Sequence, residues 1–163
     1  MARMINPDHT KALVALLNKS PYFQLLSMKM LDIQYGHALL EVDDIENKHF
    51  NPLGGVHGGL YASIVDTVAF WAVYYDLDEG VGITTLDLSV DYVSPAISGK
   101  LMARGKRIRT GKTICFASAE INDEKGRLIA QGSSKMVVLP GQPVSNLIVS
   151  FLGTNPLPPK FLV

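Results

Sequence analysis

The sequence predicts an α+β domain in which a curved antiparallel sheet of about six strands wraps one long central helix. Three observations carry this. Residues 57–75, HGGLYASIVDTVAFWAVYY, are apolar nearly all round, and a helix with no polar face must be covered on every side. Six shorter segments read as strands, two before this helix and four after it. The last four follow one another at spacings of 8–13 residues with short turns, which predicts an antiparallel meander rather than βαβ crossovers.

Composition agrees with one folded unit. The chain has 163 residues, 47% hydrophobic and 18% charged, which excludes disorder and fits a single domain of ordinary size. The 15 Lys+Arg balance 15 Asp+Glu, so no general nucleic-acid binder is expected. Cys115 is the one cysteine. It excludes an internal disulfide framework and a multi-cysteine zinc site and fits a reducing cytoplasm. The N-terminal apolar run ALVALL is too short for a signal-peptide core, and no stretch reaches the length of a membrane span. A cytoplasmic protein without membrane or nucleic-acid partners is expected.

The elements follow in order. Asp8 or Thr10 is positioned to cap a helix over 9–19, with Leu13, Leu16 and Leu17 as its apolar stripe. Ser20-Pro21 ends it. Residues 27–35 and 37–43 form a hairpin about Gly36. Residues 44–56 carry loop chemistry, Asn47, Asn51-Pro52 and Gly54-Gly55. After the central helix come strands over 84–93, 100–109, 112–122 and 127–139. Residues 1–139 make the domain, and 140–163 form a proline-rich apolar extension. Proline density argues against a further central strand there. Its segment NLIVSFL, 146–152, either docks on a neighbouring subunit or forms a local helical turn on its own domain. The central helix has one side the sheet does not cover, and a second copy of the chain is expected against it.

The neutral total hides an asymmetry. Residues 1–99 hold five bases against twelve acids, and residues 100–135 hold nine bases against three acids. The later strands can attract a small anion, or simply expose Lys and Arg at sheet edges against aggregation.

The chemistry concentrates in residues 49–71. A glycine-rich loop leads into the central helix, whose start carries His57, Gly58 and Gly59. Glycines there let a ligand approach backbone N–H groups aimed at developing negative charge, the arrangement of an oxyanion hole. The same glycines also serve tight turns and close packing. Asp66 stands two turns into this apolar helix, and a carboxylate there must be paired, hydrogen-bonded or set in a cleft. Helical spacing puts it on a face with Ala62, Ala69 and Val73, small residues that leave room for a substrate or a water. The pocket wall is expected to include Phe70, Val73, Tyr74 and residues near Leu53. No Ser-His-Asp set is present, since Ser63 lacks the nucleophile elbow. His9, His37, His49 and His57 show no metal-ligand spacing. His49 reads as a loop residue and Cys115 as a core or interface residue.

The segment NPLGGVHGGLYASIVD, 51–66, resembles the signature of hotdog-fold acyl-CoA thioesterases of the phenylacetic-acid-degradation (PaaI-type) family. TLDLSVDYVSP at 85–95, GKT at 111–113 and GRLIAQG at 126–132 extend the resemblance over roughly 28–139. It implies the hotdog fold, with the long helix inside a curved sheet. It also implies hydrolysis of an acyl- or aryl-CoA thioester to the free acid and CoA, with no metal or cofactor. By resemblance, Asp66 is the catalytic nucleophile or general base, and the Gly58 N–H polarises the thioester carbonyl. His57 shapes that loop, Asn51 positions the water or thioester, and Thr85 is a small hydroxyl residue near the nucleophile. Relatives place these residues across a homodimer interface, Asn51 and Gly58 from one subunit and Asp66 and Thr85 from the other, in a dimer or a dimer of dimers. Gly59 with Arg104, Lys106, Arg107, Arg109 and Lys112 are the expected substrate contacts, the cations meeting the CoA phosphates. The extension after 139 is not part of the family pattern.

Two alternatives use the same cleft. A non-catalytic acyl-CoA binder has no need of an isolated carboxylate such as Asp66. A hydratase or dehydratase of the same fold requires an Asp and a His in one short motif, and Asn51-Pro52 is not followed by the Ile-His expected there.

Overall fold

The computed structural model describes residues 3–162. Helix α1, Pro7–Leu17, is capped by Asn6, whose side chain accepts from the Asp8 N–H; Pro7 at the first helical position has its φ preset. The expected caps Asp8 and Thr10 therefore lie inside the first turn. Ser20-Pro21 ends α1 as expected, but Pro21 then opens a second helix that the sequence reading did not contain, α2, Pro21–Leu25. The fixed φ that stops one helix is suited to starting the next.

Strands β1, Met28–Gln34, and β2, His37–Val42, form the expected hairpin, with Gly36 in the left-handed region at φ 70. Helix α3, Gly58–Ala72, continues into a 3-10 turn over Tyr74–Asp76. Strands β3 (Val81–Tyr92), β4 (Leu101–Thr110), β5 (Ile114–Asp123) and β6 (Leu128–Pro140) follow. All pairings are antiparallel, and the sheet order is β1-β2-β4-β5-β6-β3. The architecture is the predicted one, a six-stranded sheet around one helix.

One part of the predicted meander is corrected. β4, β5 and β6 are sequential neighbours, but β3 pairs with β6 and not with β4. Ser94-Pro95 breaks β3, and the stretch to Lys100 is long enough to carry the chain from the edge of the sheet to its middle. This leaves one side of β3 unpaired.

The sheet lets α3 come very close. A Cβ on Gly105 of β4 would lie 2.0 Å from the Val68 carbonyl oxygen, and one on Gly132 of β6 would lie 2.9 Å from the Val65 side chain. Glycine at position 105 is what allows helix and strand backbones to approach, while at Gly132 the Ser89 carbonyl oxygen of β3 would lie closer still, 2.3 Å from the Cβ. Ile64, Val65, Val68, Ala69 and Ala72 are completely buried, a core packed on one face of the sheet. The opposite face of α3 is a stripe of Gly59, Ala62, Ser63, Asp66, Thr67 and Phe70, none of them buried. Asp66 therefore shares its face with Ala62 but not with Ala69 or Val73, which point into the core. Tyr74 is likewise in the core, so of the expected pocket wall only Phe70 lies on the open face. Leu53 is in the exposed loop.

Part of the extension packs on its own domain. Segment 146–152 falls within helix α4, Val144–Leu152, whose Val144 is buried beside Gly82. Residues beyond α4 cross the C-terminal end of α3 and meet the N-terminal arm, where Phe161 bridges to Ile5 and Leu162 N–H donates to the Met4 carbonyl. Cys115 is fully buried in β5, and burial pushes its thiol up, in keeping with the core reading. Among the described residues no helix is long and apolar enough to cross a membrane.

Candidate active site

The glycine loop is built by Asn51. Its side-chain oxygen accepts from the N–H groups of Leu53 (2.9 Å) and Gly55 (3.3 Å), a local turn of the kind Asn makes readily. Its backbone N–H donates to the Gly55 carbonyl at 2.8 Å. With the oxygen so occupied, the Asn51 amide nitrogen has no partner among the described residues.

The loop ends at His57, the N-cap of α3. His57 Nδ1 accepts the Gly59 N–H at 2.8 Å, so the ring proton sits on Nε2. The Gly59 N–H is therefore spent inside the protein. The Gly58 N–H has no acceptor among the described residues, and it stands at the positive end of α3, where an anion is favoured. A Cβ at Gly58 would lie 3.0 Å from the Tyr92 ring, and the Tyr92 hydroxyl donates to the Gly58 carbonyl at 3.3 Å. Tyr92 thus seats the first turn of α3. Gly55, Val56, Gly58, Tyr61 and Tyr92 line a cleft of about 370 Å3 that reaches Pro95.

Asp66 lies on the open stripe of α3, half-buried. Thr85 Oγ1 donates to its Oδ1 at 2.8 Å. A β-bulge makes this pairing possible. The register of β3 against β6 shifts between Thr85 and Asp87, so that Ile83 and Thr85 face α3 on one phase while Leu88 and Val90 do so on the other. Leu86, at the bulge, is turned out and 61% exposed. Strict alternation along the strand would group Leu86 with Leu88 and Val90 and place Thr85 on the opposite side; the bulge reverses that.

Within the chain these groups fall into two separate clusters. Gly58 and Asp66 are eight residues apart on α3, a rise of about 12 Å, too far for both to act on one carbonyl. Asn51, His57 and Gly58 belong to one cluster, Asp66 and Thr85 to the other.

The expected phosphate-binding cations are dispersed. Arg104 and Lys106 point outward from β4, alternating with the inward Ala103 and Gly105. The Arg107 guanidinium is paired with Asp76 at the C-terminal end of α3. Desolvation outweighs that pairing and raises the Asp76 carboxyl. Arg109 and Lys112 lie at the same end, exposed. Near the glycine loop the cations are Lys48, paired with Glu46, and Arg127, bonded to Asp123 and to the Pro95 carbonyl. His49 is structural: Nδ1 accepts from the Glu46 N–H and Nε2 donates to the Leu26 carbonyl. Tyr92 was missed as a site residue, since in the sequence it was one more apolar position of an alternating strand.

The chain is similar in sequence and in fold to several known proteins. Residues 53–130 match the family model described as the thioesterase superfamily. Mouse acyl-coenzyme A thioesterase 13 is 37% identical over 90 residues, 54% of this chain and 64% of that protein; the chain thus spans just under two thirds of the length of that curated relative. A thioesterase of Haemophilus influenzae superposes with a TM-score of 0.76 over 88% of this chain and 99% of that one at 20% identity, a likeness of fold. Zebrafish thioesterase superfamily member 2 superposes with a TM-score of 0.67 at 26% identity, over 78% of this chain and 94% of that one.

Proposed function

We propose that this chain, whose residues 53–130 match the thioesterase-superfamily model and whose fold superposes on a member of that superfamily, is an acyl-CoA thioesterase, releasing the free acid and CoA. The observation that carries this reading is Asp66, a lone carboxylate on the open face of an otherwise apolar helix, held by Thr85. A thioester is already activated, so a carboxylate can attack it or activate water without a metal. The Gly58 N–H, with the Asn51 amide nitrogen, receives the carbonyl oxygen as it becomes an oxyanion. Asp66 attacks the carbonyl carbon itself or takes a proton from the attacking water. The tetrahedral intermediate then expels the CoA thiolate, which is protonated as the acid is released; direct attack leaves an anhydride that water opens.

The gap of about 12 Å between the two clusters argues for a homodimer. The free edge of β3 accepts a second β3 in antiparallel pairing, which completes backbone hydrogen bonds otherwise left to water. That pairing sets the two open α3 stripes side by side in opposite directions, so Gly58 of one protomer meets Asp66 of the other. It also brings the far end of one α3 to the near end of its partner, where Arg109 and Lys112 are the unpaired cations available to the CoA phosphates.

The test is thiol release from a panel of acyl- and aryl-CoAs by the wild type and Asp66→Asn. Release by the wild type and its loss in the variant are expected. A wild type that binds acyl-CoA yet releases no CoA returns the non-catalytic binder.

A further inference from the structure

Tyr92 is the last residue of β3 and stands at a firmly held corner. It pairs with Ala130 of β6, and the N–H groups of Val93 and Ser94 then both donate to the Ile129 carbonyl, at 2.9 and 3.0 Å. Its ring rests on the buried Tyr61, 6.2 Å between centroids and 48° between planes. Backbone and ring are both supported, yet Tyr92 is 60% exposed. Its free side lines the cleft that also takes in Gly55, Val56 and Gly58.

The Tyr92 hydroxyl donates to the Gly58 carbonyl, and His57 Nδ1 accepts the Gly59 N–H. That carbonyl and that N–H are the two ends of one peptide unit. The unit joining Gly58 to Gly59 is therefore gripped at both ends, by side chains from different elements. It needs the grip. The N–H groups of a first helical turn have no partner inside the helix, and glycine has the widest choice of backbone angles. Two glycines in succession leave this turn the loosest of α3. The Gly58 N–H lies across a single Cα from the gripped unit, so its direction follows from the grip. The space is matched as well. A Cβ at Gly58 would lie 3.0 Å from both Cζ and the hydroxyl oxygen of Tyr92, so it is glycine at 58 that lets the phenol reach the carbonyl.

We propose that Tyr92 is a positioning residue of the candidate oxyanion hole: with His57 it clamps the Gly58–Gly59 peptide and so aims the Gly58 N–H into the cleft. The inference rests on the thioesterase reading and adds a residue to its site. A donor stabilises an oxyanion best when it is oriented before the charge develops. The clamp supplies that orientation ahead of the thioester; without it the first turn of α3 must reorient during the reaction. The Tyr92 hydroxyl is spent on the carbonyl, so it acts through the Gly58 N–H and not on the thioester.

Tyr92→Phe keeps the ring and deletes the donor. Two readouts follow it: kcat and KM on the best CoA thioester, and the carbonyl stretch of a bound CoA ketone in which a methylene replaces the thioester sulfur. A hydrogen bond from the Gly58 N–H lowers that frequency. In Tyr92→Phe kcat is expected to fall about tenfold, the scale of one hydrogen bond. KM is expected to stay within about twofold, since an interaction confined to the transition state leaves ground-state binding alone, and the ketone frequency to rise. In a Gly58→Pro background, which has no donor to aim, Tyr92→Phe is expected to cost nothing further. Wild-type kcat and frequency in Tyr92→Phe, a loss confined to KM, or an equal loss in the Gly58→Pro background overturns the role of Tyr92 alone. A wild type that releases no CoA from any thioester overturns it together with the thioesterase reading.

Discussion

Thr85 and Asp66 meet at 2.8 Å, the hydroxyl of an edge strand donating to a carboxylate on the central helix. No other side chain donates to Asp66 among the described residues. The contact occupies Oδ1 and leaves Oδ2 for a water or a thioester carbon. It also fixes the carboxylate's rotation, which a half-exposed aspartate would otherwise sample freely.

The first prediction concerns that contact. A hydrogen bond to a charged group is worth about 1.5–3 kcal/mol, so Thr85→Val is expected to lower kcat roughly 10- to 100-fold. Thr85→Ser is expected to retain most activity. Steady-state kinetics on the best CoA thioester decide it; equal rates for Thr85→Val and wild type would remove Thr85 from the mechanism.

A second prediction isolates the Gly58 N–H. Gly58→Ala and Gly58→Pro both bring a Cβ against the Tyr92 ring, but only proline deletes the donor. Proline is tolerated at the first position of a helix, and His57 is already extended, at ψ 132, as a residue before proline must be. Gly58→Pro is expected to turn over about 100-fold more slowly than Gly58→Ala, the usual loss for one oxyanion donor. Parity between two folded variants excludes this N–H as the donor.

A third prediction tests the β3 edge. Sedimentation equilibrium is expected to give at least twice the 17.8 kDa chain mass. Leu86 is turned out at the bulge, and Leu86→Asp puts a carboxylate on the β3 edge proposed to pair with a second copy. Monomers with intact secondary structure and lost turnover are expected of a site that the proposed dimer completes. A fully active monomer contradicts the shared site.

A fourth prediction follows from the C-terminal strap. Lys160 is buried, its amine donating to the Tyr74 (2.6 Å) and Leu77 (2.8 Å) carbonyls and lying 4.1 Å from the Tyr74 ring centre. A neutral amine has two protons for those two carbonyls, and burial pushes the group down to about 7. The unfolded chain keeps the proton to about 10.5. Between these values the unfolded state binds more protons, so stability rises with pH through that window and the burial cost is fully present below 7. His9, also lowered chiefly by burial, adds the same trend below its ordinary 6.5. The melting temperature is expected to climb from pH 6.5 to 9.5, and Lys160→Met to flatten the climb. A wild-type curve that falls over this range contradicts the assignment.

Much of this was legible in the residues. The all-apolar run 57–75 announced a central helix because no polar face remained to expose. The cluster from Asn51 to Asp66 marked the chemistry because glycines at a helix start and a carboxylate in an apolar helix both demand explanation. What stayed hidden depended on long-range partners. Pro21 reads locally as a stop, and only the Phe23 anchor makes it a start. Arg107 reads as a free cation until Asp76 arrives from the end of α3.

By itself the sequence determined the order of the six strands about the central helix, the α+β architecture and the residue types of the candidate site, since periodicity, turn chemistry and burial cost are local properties. The tertiary structure decided which strand lies at the edge, since Ser94-Pro95 carries the chain away from β6 without revealing where it lands. It decided that Thr85 faces Asp66, because a one-residue bulge inverts every side chain beyond it and strict alternation cannot foresee it. It also decided that Gly58 and Asp66 stand apart within one chain, because a helix converts eight residues of sequence into a fixed distance no single thioester spans.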